Sequence, residues 1–220
     1  MKRTVLTVTS LVVCALLPAA APAQKNKKQS GNLSIQAAST IKFGKSVTIS
    51  GKLTGPNNDN KSIVLREDSW PFDGLVNVNP PASTNAQGEY AFTRSPTVNT
   101  LYQTRQGSLD SQVVTVEVSP VVSLRLSDRT PVAGRRVRFS GTVCPEHDGA
   151  PLQIQRRVAP KRYTTVTKTT LADAPGSTCS TYSKRVRIRR DGTYRTRILD
   201  SVDLDHTAGN SPARRIDVHR

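Results

Sequence analysis

The chain has few aromatic residues and little that suggests catalysis. Aromatic residues make up 5% of its 220 residues, with a single Trp, and there are three histidines. None of these histidines lies in a nucleophile-elbow, zincin or phosphate-loop pattern, and the glycines are scattered instead of forming a loop that could hold a phosphate. The sequence therefore predicts a protein that is not an enzyme and that needs no cofactor.

The overall composition is that of a folded, basic protein. Hydrophobic residues make up 35% and charged residues 22%, and the formal net charge is +16. Such a hydrophobic content argues against general disorder, and it is too low for a polytopic membrane protein.

The first 23 residues have the three parts of a secretory signal peptide. Residues 1–3 are basic, residues 5–17 are apolar, and residues 21–23 form a small-residue cleavage site. An uncleaved anchor is the alternative, but the apolar stretch is shorter than the ~20 residues that span a bilayer. No later segment could span one either. We expect a secreted, extracellular protein with cell-surface association, whose mature chain begins with a flexible basic arm at residues 24–32.

Removal of the signal peptide would also remove Cys14 and leave two cysteines, Cys144 and Cys179. An even pair in an oxidising compartment favours a disulfide. Metal binding by the same pair is the alternative, and it would require two further ligands at compatible spacing, which are not visible nearby.

The mature chain contains an internal repeat of roughly 90 residues, with an offset that grows along the chain as loop insertions would make it grow. The matched positions are Gly44 and Gly134, Gly51 and Gly141, Tyr90 and Tyr182, Tyr102 and Tyr194, and Ser111 and Ser211.

Within each repeat, apolar residues alternate with polar ones. This period of two is typical of half-buried β-strands, and turn residues such as Asp191-Gly192 separate the segments. No stretch carries a helical pattern. About seven short strands per repeat predict a β-sandwich.

Each repeat resembles a bacterial immunoglobulin-like domain, of the kind found in tandem in secreted proteins of high-GC, actinobacterial-type Gram-positive bacteria. The shared motifs are Gly-x-x-Val-x-x-Ser-Gly at residues 44–51 and 134–141, the turn and strand at 85–90, and a segment at 191–194 similar to a tyrosine corner at Tyr194. The Cys-Trp-Cys pattern of antibody domains is absent.

The resemblance implies an all-β fold of two tandem Ig-like antiparallel β-sandwiches after a cleaved signal peptide. The implied boundaries are residues 33–118 for domain 1, 119–121 for a linker and 122–220 for domain 2. In this topology strands B and E are antiparallel neighbours, which would bring Cys144 near Cys179. Closing a loop of this length would contribute roughly 3 to 4 kcal/mol.

Charge distinguishes the two repeats. Residues 31–120 contain seven Lys/Arg and seven Asp/Glu, whereas residues 121–220 contain 20 and nine. Alternation places six arginines on the outer face of strands A, B and E of the second repeat. These are Arg125, Arg136, Arg138, Arg185, Arg187 and Arg189, against Ser34, Ser46, Thr48, Glu89 and Ala91 at the expected counterparts.

An arginine-rich face predicts binding of an anionic cell-wall polymer or an acidic glycan. A merely solvated face is the alternative. Nucleic acid is not favoured, because the protein is exported and few aromatic residues interleave the arginines.

Two further sets of residues are candidate sites. Trp70 and Phe72 could stack on a sugar ring, or they could pack over the sandwich. Loops expected at one end of the second repeat carry imidazoles and carboxylates that suit a divalent cation, although acidic loop tips also serve to neutralise arginines. The residues of this metal hypothesis are His147, Asp148, Asp203, Asp205 and His206.

Together these patterns favour a secreted, non-catalytic, envelope-associated binding or structural module. The alternatives are a carbohydrate-binding module that uses Trp70 and Phe72, and an accessory domain protein of an extracellular enzyme system.

Overall fold

The computed structural model describes residues 31–199 and 204–219, and within these residues the fold is all-β, with no helix. The predicted signal peptide with Cys14, most of the basic arm and Asp203 lie outside the described residues.

Strands β1 to β8 lie before residue 120 and β9 to β17 lie after it. The first eight are β1 Thr40–Lys42, β2 Val47–Lys52, β3 Ser62–Ser69, β4 Val76–Ser83, β5 Glu89–Arg94, β6 Thr100–Gln106, β7 Leu109–Asp110 and β8 Val114–Ser119. The other nine are β9 Val121–Val122, β10 Arg125–Leu126, β11 Arg136–Cys144, β12 Pro151–Ala159, β13 Arg162–Thr170, β14 Ser180–Arg187, β15 Gly192–Ile198, β16 Gly209–Asn210 and β17 Arg214–Ile216.

These strands form four sheets. In the N-terminal half, one sheet has the order β1-β8-β6-β3-β4 with β7 beside β6, and a second consists of β2 and β5. In the C-terminal half, one sheet has the order β10-β11-β14 with β9 also on β11, and the other has the order β13-β12-β15-β16 with β17 also on β15. Each described sheet draws its strands from one half only. The strand pairs are antiparallel except for β1 with β8.

The two sheets of the C-terminal half enclose a common apolar core. Alternation along β11 buries Val137 and Phe139, and these side chains contact Ile154 from β12 and Tyr194 from β15 in the facing sheet. The Phe139 and Tyr194 rings meet edge to face, with centroids 5.6 Å apart. Burial of the inward residues on both sheets therefore gives this half a sandwich-like architecture.

The N-terminal half has separate core clusters of the same kind. Ile49 from β2 packs with Leu65 from β3 and Tyr102 from β6. A second cluster gathers Ile63 and Tyr90 with neighbouring leucines. The described clusters do not mix residues from the two halves, so each half buries its own apolar surface.

The same buried hydrogen-bond arrangement occurs once in each half. In the C-terminal half, the Tyr182 hydroxyl donates to the Ser123 carbonyl at 2.6 Å and lies 3.0 Å from Thr196 Oγ1. The Thr196 amide in turn donates to Ser211 Oγ at 2.9 Å. These bonds tie β14 to the segment before β10 and, through Thr196, to the facing sheet.

In the N-terminal half, Tyr90 bonds to the Ser34 carbonyl and to Thr104 Oγ1, and the Thr104 amide donates to Ser111 Oγ. The predicted tyrosine corner at Tyr194 was therefore wrong. The Tyr194 hydroxyl has no hydrogen-bond partner within the described residues, because its ring packs into the core beside Phe139.

The glycine that ends each Gly-x-x-Val-x-x-Ser-Gly motif lies against this arrangement. A side chain at Gly141 would collide with the Ser123 carbonyl, and one at Gly51 would collide with the Ser34 carbonyl and Tyr90. These two glycines therefore permit the close approach that the buried tyrosines require.

A short buried connection joins the halves. Ser119 is 4% exposed and its hydroxyl donates to the Ala208 carbonyl at 2.8 Å. The Thr207 amide donates to the Val118 carbonyl at 3.0 Å. The start of the connection is thus held by hydrogen bonds to the segment just before β16.

Candidate functional site

The candidate site is the outer face of the sheet formed by β10, β11 and β14. We refer to its six arginines as the arginine face, and all six side chains are exposed. Their buried neighbours in sequence point into the core, as the period of two requires. The members of the arginine face are Arg125, Arg136, Arg138, Arg185, Arg187 and Arg189.

Four of these arginines form two cross-strand pairs. Arg136 lies opposite Arg187, and Arg138 lies opposite Arg185. Residues directly opposite in an antiparallel pair have Cβ atoms roughly 5 Å apart, so each pair brings two positive charges together. The salt bridges within the described residues involve other groups, and none of the six arginines is paired with a carboxylate there.

The equivalent positions of the N-terminal half carry neutral residues. Thr48 lies opposite Thr93 in the place of Arg138 and Arg185. The hydroxyls of Ser46 and Ser95, which correspond to Arg136 and Arg187, lie 3.0 Å apart. The fold therefore accepts small polar residues at all four positions.

This register corrects part of the sequence comparison. Glu89 and Ala91 were expected to be counterparts of the strand E arginines, but Tyr90 makes the bonds that Tyr182 makes in the other half. Counting along the strands from these two tyrosines aligns Thr93 with Arg185.

A groove of about 220 Å³ lies at the end of the arginine face. Arg187 and Arg189 line it together with Arg156 and Arg190, and Ile188 and Tyr194 supply apolar wall. Four arginines thus line one groove, and guanidinium groups can donate several hydrogen bonds to phosphate, sulfate or carboxylate oxygens. The sequence did not predict this groove, because its walls come from strands of both facing sheets.

The disulfide joins β11 and β14 at the end that lies away from the groove. Cys144 ends β11 and Cys179 directly precedes β14, where Val143 lies opposite Ser180. The two sulfur atoms are bonded, with the Cα atoms 4.4 Å apart. The predicted disulfide is confirmed, and it restrains β11 and β14, which carry four of the six arginines.

The predicted metal residues separate into two groups. His147, Asp205 and His206 each offer a ligand atom, and these atoms lie within 4.8 Å of one another. Asp148 points elsewhere: it accepts a hydrogen bond from the Ser180 hydroxyl and lies with Glu146 and Asp173 in an exposed acidic group. A hydrogen bond with Asp148 and repulsion from its charge raise the pKa of Glu146.

Trp70 and Phe72 lie just after β3. Trp70 is half-buried and Phe72 is 40% exposed, with a left-handed φ of 70°. The Trp70 amide donates to the Asn99 carbonyl at 2.9 Å, which anchors the start of this loop. The loop thus presents one open ring and not two.

No protein-family profile matches the chain, and no curated protein matches it significantly. Within the residues that the structure describes, no helix has the length and apolar character needed to cross a membrane.

Proposed function

We propose that the protein is a secreted, non-catalytic module of two tandem Ig-like sandwiches, which binds an anionic polymer at the cell surface through the arginine face. One observation carries the proposal. Arg136 lies opposite Arg187 and Arg138 lies opposite Arg185, and none of the four has a carboxylate partner among the described residues. The N-terminal half has Ser and Thr at these positions.

Physical chemistry supports a ligand at this face. Opposed like charges destabilise a sheet by a few tenths of a kcal/mol to about 1 kcal/mol per pair. Because a bound polyanion would remove this repulsion, binding and stability would be coupled. The groove beside Arg187 and Arg189 would accept one anionic group of the polymer, while the flat face would contact its neighbours.

The predicted export agrees with this partner. The Cys144–Cys179 disulfide is consistent with an oxidising extracellular compartment, where acidic glycans and phosphate-containing wall polymers are exposed. The sandwich-like halves with their buried connection would hold the arginine face as a rigid surface.

The test compares two variants of the full mature chain on a column of immobilised poly(glycerol phosphate). The face variant gives the C-terminal half the residues of the N-terminal half: Arg136→Ser, Arg138→Thr, Arg185→Thr and Arg187→Ser. The control variant removes the same charge from exposed positions on the other sheet: Arg157→Ser, Arg162→Ser, Lys168→Thr and Arg214→Ser.

We expect the face variant to elute at much lower salt than the control variant, which should elute close to the unmodified protein. Equal elution of the two variants would show that only net charge matters and would overturn the proposal.

A second candidate function is carbohydrate binding at Trp70 and Phe72, favoured by the exposure of Phe72. Stacking of a sugar on an aromatic ring requires an open ring face, which Trp70 offers only in part. Phe72→Ala would abolish retention on neutral cell-wall glycan in this case, while retention on poly(glycerol phosphate) would be unchanged.

A further inference from the structure

The cluster of His147, Asp205 and His206 differs from an exposed acidic loop, because it contains two imidazole rings in contact and one of them is buried. His147 follows β11, while Asp205 and His206 lie between β15 and β16. The imidazole rings meet edge to face, with centroids 4.9 Å apart. His206 is 3% exposed and so lies inside the protein.

Hydrogen bonds to backbone carbonyls fix which nitrogen of each ring carries a proton. His147 Nδ1 lies 2.8 Å from the Pro145 carbonyl, and His206 Nε2 lies 2.8 Å from the Thr97 carbonyl. A carbonyl oxygen only accepts, so these two nitrogens donate. In the neutral rings, the lone pairs are therefore on His147 Nε2 and His206 Nδ1, as in many metal-ligating histidines.

Both of these lone pairs are directed into the cluster. His147 Nε2 is buried and has no hydrogen-bond partner within the described residues. His206 Nδ1 lies 2.9 Å from Asp205 Oδ2. A carboxylate oxygen this close to an imidazole nitrogen requires either a proton between the two atoms or a metal cation that both bind.

We propose that His147 Nε2, His206 Nδ1 and the Asp205 carboxylate bind one zinc ion. Two imidazoles and a carboxylate suit zinc, whereas calcium prefers oxygen ligands alone. Adjacent ligand atoms of a tetrahedral zinc ion are about 3.3 Å apart. The three ligand atoms, all within 4.8 Å of one another, need only a small rearrangement to reach this geometry. A water molecule would complete the shell.

The position of the cluster gives the ion a structural role between the two halves. His206 bonds to Thr97 of the N-terminal half, and its ring lies edge to face with Phe43, with centroids 6.3 Å apart. The Asn99 amide donates to the Asp205 carbonyl at 2.7 Å. The segment with Asp205 and His206 is thus hydrogen-bonded to the N-terminal half. Zinc would link this segment to His147, which follows β11 of the C-terminal half.

The experiment uses untagged full mature chain, freed of metal with a chelator and titrated with zinc and then with cobalt. We expect one zinc per chain by calorimetry, and a visible cobalt spectrum of tetrahedral type. The variant His147→Ala removes one ligand. The control variant His219→Ala removes the exposed histidine near the C-terminus.

His147→Ala should weaken zinc binding at least tenfold, and His219→Ala should leave it unchanged. The melting temperature of metal-free His147→Ala, compared with metal-free unmodified protein, shows whether the variant still folds. If it does not, the cobalt spectrum of the unmodified chain decides alone. Absence of binding at 1 mM zinc, or equal binding by the two variants, would overturn the site.

A second measurement tests the structural role. Zinc should slow the hydrogen exchange of the Asn99 and Thr207 amides, which donate across the two halves, by tenfold or more. Zinc binding without any change in this exchange would overturn the role between the halves.

Discussion

Arg138 and Arg185 lie directly opposite each other on neighbouring antiparallel strands, and both side chains are exposed. In the N-terminal half the same positions are Thr48 and Thr93. This charge difference on the face is present although both halves contain the same buried tyrosine network. It is the feature that the proposed polymer binding explains.

Replacement of one arginine should stabilise the protein in the absence of ligand. Arg138→Thr relieves repulsion from Arg185, so the free energy of unfolding should rise by a few tenths of a kcal/mol to about 1 kcal/mol. Urea denaturation at low salt measures this change, and added salt should reduce it by screening. Arg157→Thr, on the other sheet, serves as the control. A loss of stability in Arg138→Thr at low salt would contradict the repulsion.

Loss of the disulfide should weaken the sheet that carries the arginine face. The double variant Cys144→Ser and Cys179→Ser opens a loop with a sequence separation of 35 residues. We expect the free energy of unfolding to fall by roughly 3 to 4 kcal/mol. Denaturation of the variant beside the oxidised protein checks this. An unchanged denaturation midpoint would contradict the prediction, because it would show that loss of the disulfide does not raise the conformational entropy of the unfolded chain.

The buried tyrosine hydroxyls should contribute to stability in both halves. Tyr182→Phe leaves Thr196 and the Ser123 carbonyl without this partner, at an expected cost of about 1 to 3 kcal/mol. Tyr90→Phe should have a similar effect in the N-terminal half. Tyr194→Phe is the control, and we expect little change because its hydroxyl has no partner within the described residues. Equal effects at all three positions would argue against the network.

Alkaline pH should reveal the burial of Tyr182. Burial raises the pKa of its hydroxyl from 10.0 to about 12. The folded state thus favours the neutral phenol, and its contribution to stability is complete below pH 10 and is lost as the pH rises to about 12. The stability difference between the unmodified protein and Tyr182→Phe should shrink over this interval. Urea denaturation at several pH values measures it, and a constant difference would contradict the raised pKa.

The sequence predicted best those features that depend on strand alternation alone. The period of two identified Val137 and Phe139 as inward and buried, and the adjacency of strands B and E led to the disulfide. These features are local or follow from the pairing of two strands. They do not depend on the exact path of the loops.

Features set by loop conformation or by sheet-to-sheet distance were not predictable. His147 and Asp148 are adjacent, yet one joins Asp205 and His206, while the other accepts a hydrogen bond from Ser180. The resemblance implied a tyrosine corner at Tyr194, but the buried hydroxyl bonds are made by Tyr182, which lies opposite Gly141 on the neighbouring strand. Such contacts are defined only after the whole half has folded.

The salt dependence of polymer binding tests the central claim most directly. The affinity of the full mature chain for poly(glycerol phosphate) is measured by titration at several NaCl concentrations, with dextran as the neutral control. Each lost contact between a cation and a phosphate should reduce the slope of log affinity against log salt by somewhat less than 1, so the face variant should lose roughly 2 to 4 units of slope. The control variant should keep the slope of the unmodified protein. Identical slopes for the face and control variants would contradict a binding site at the arginine face.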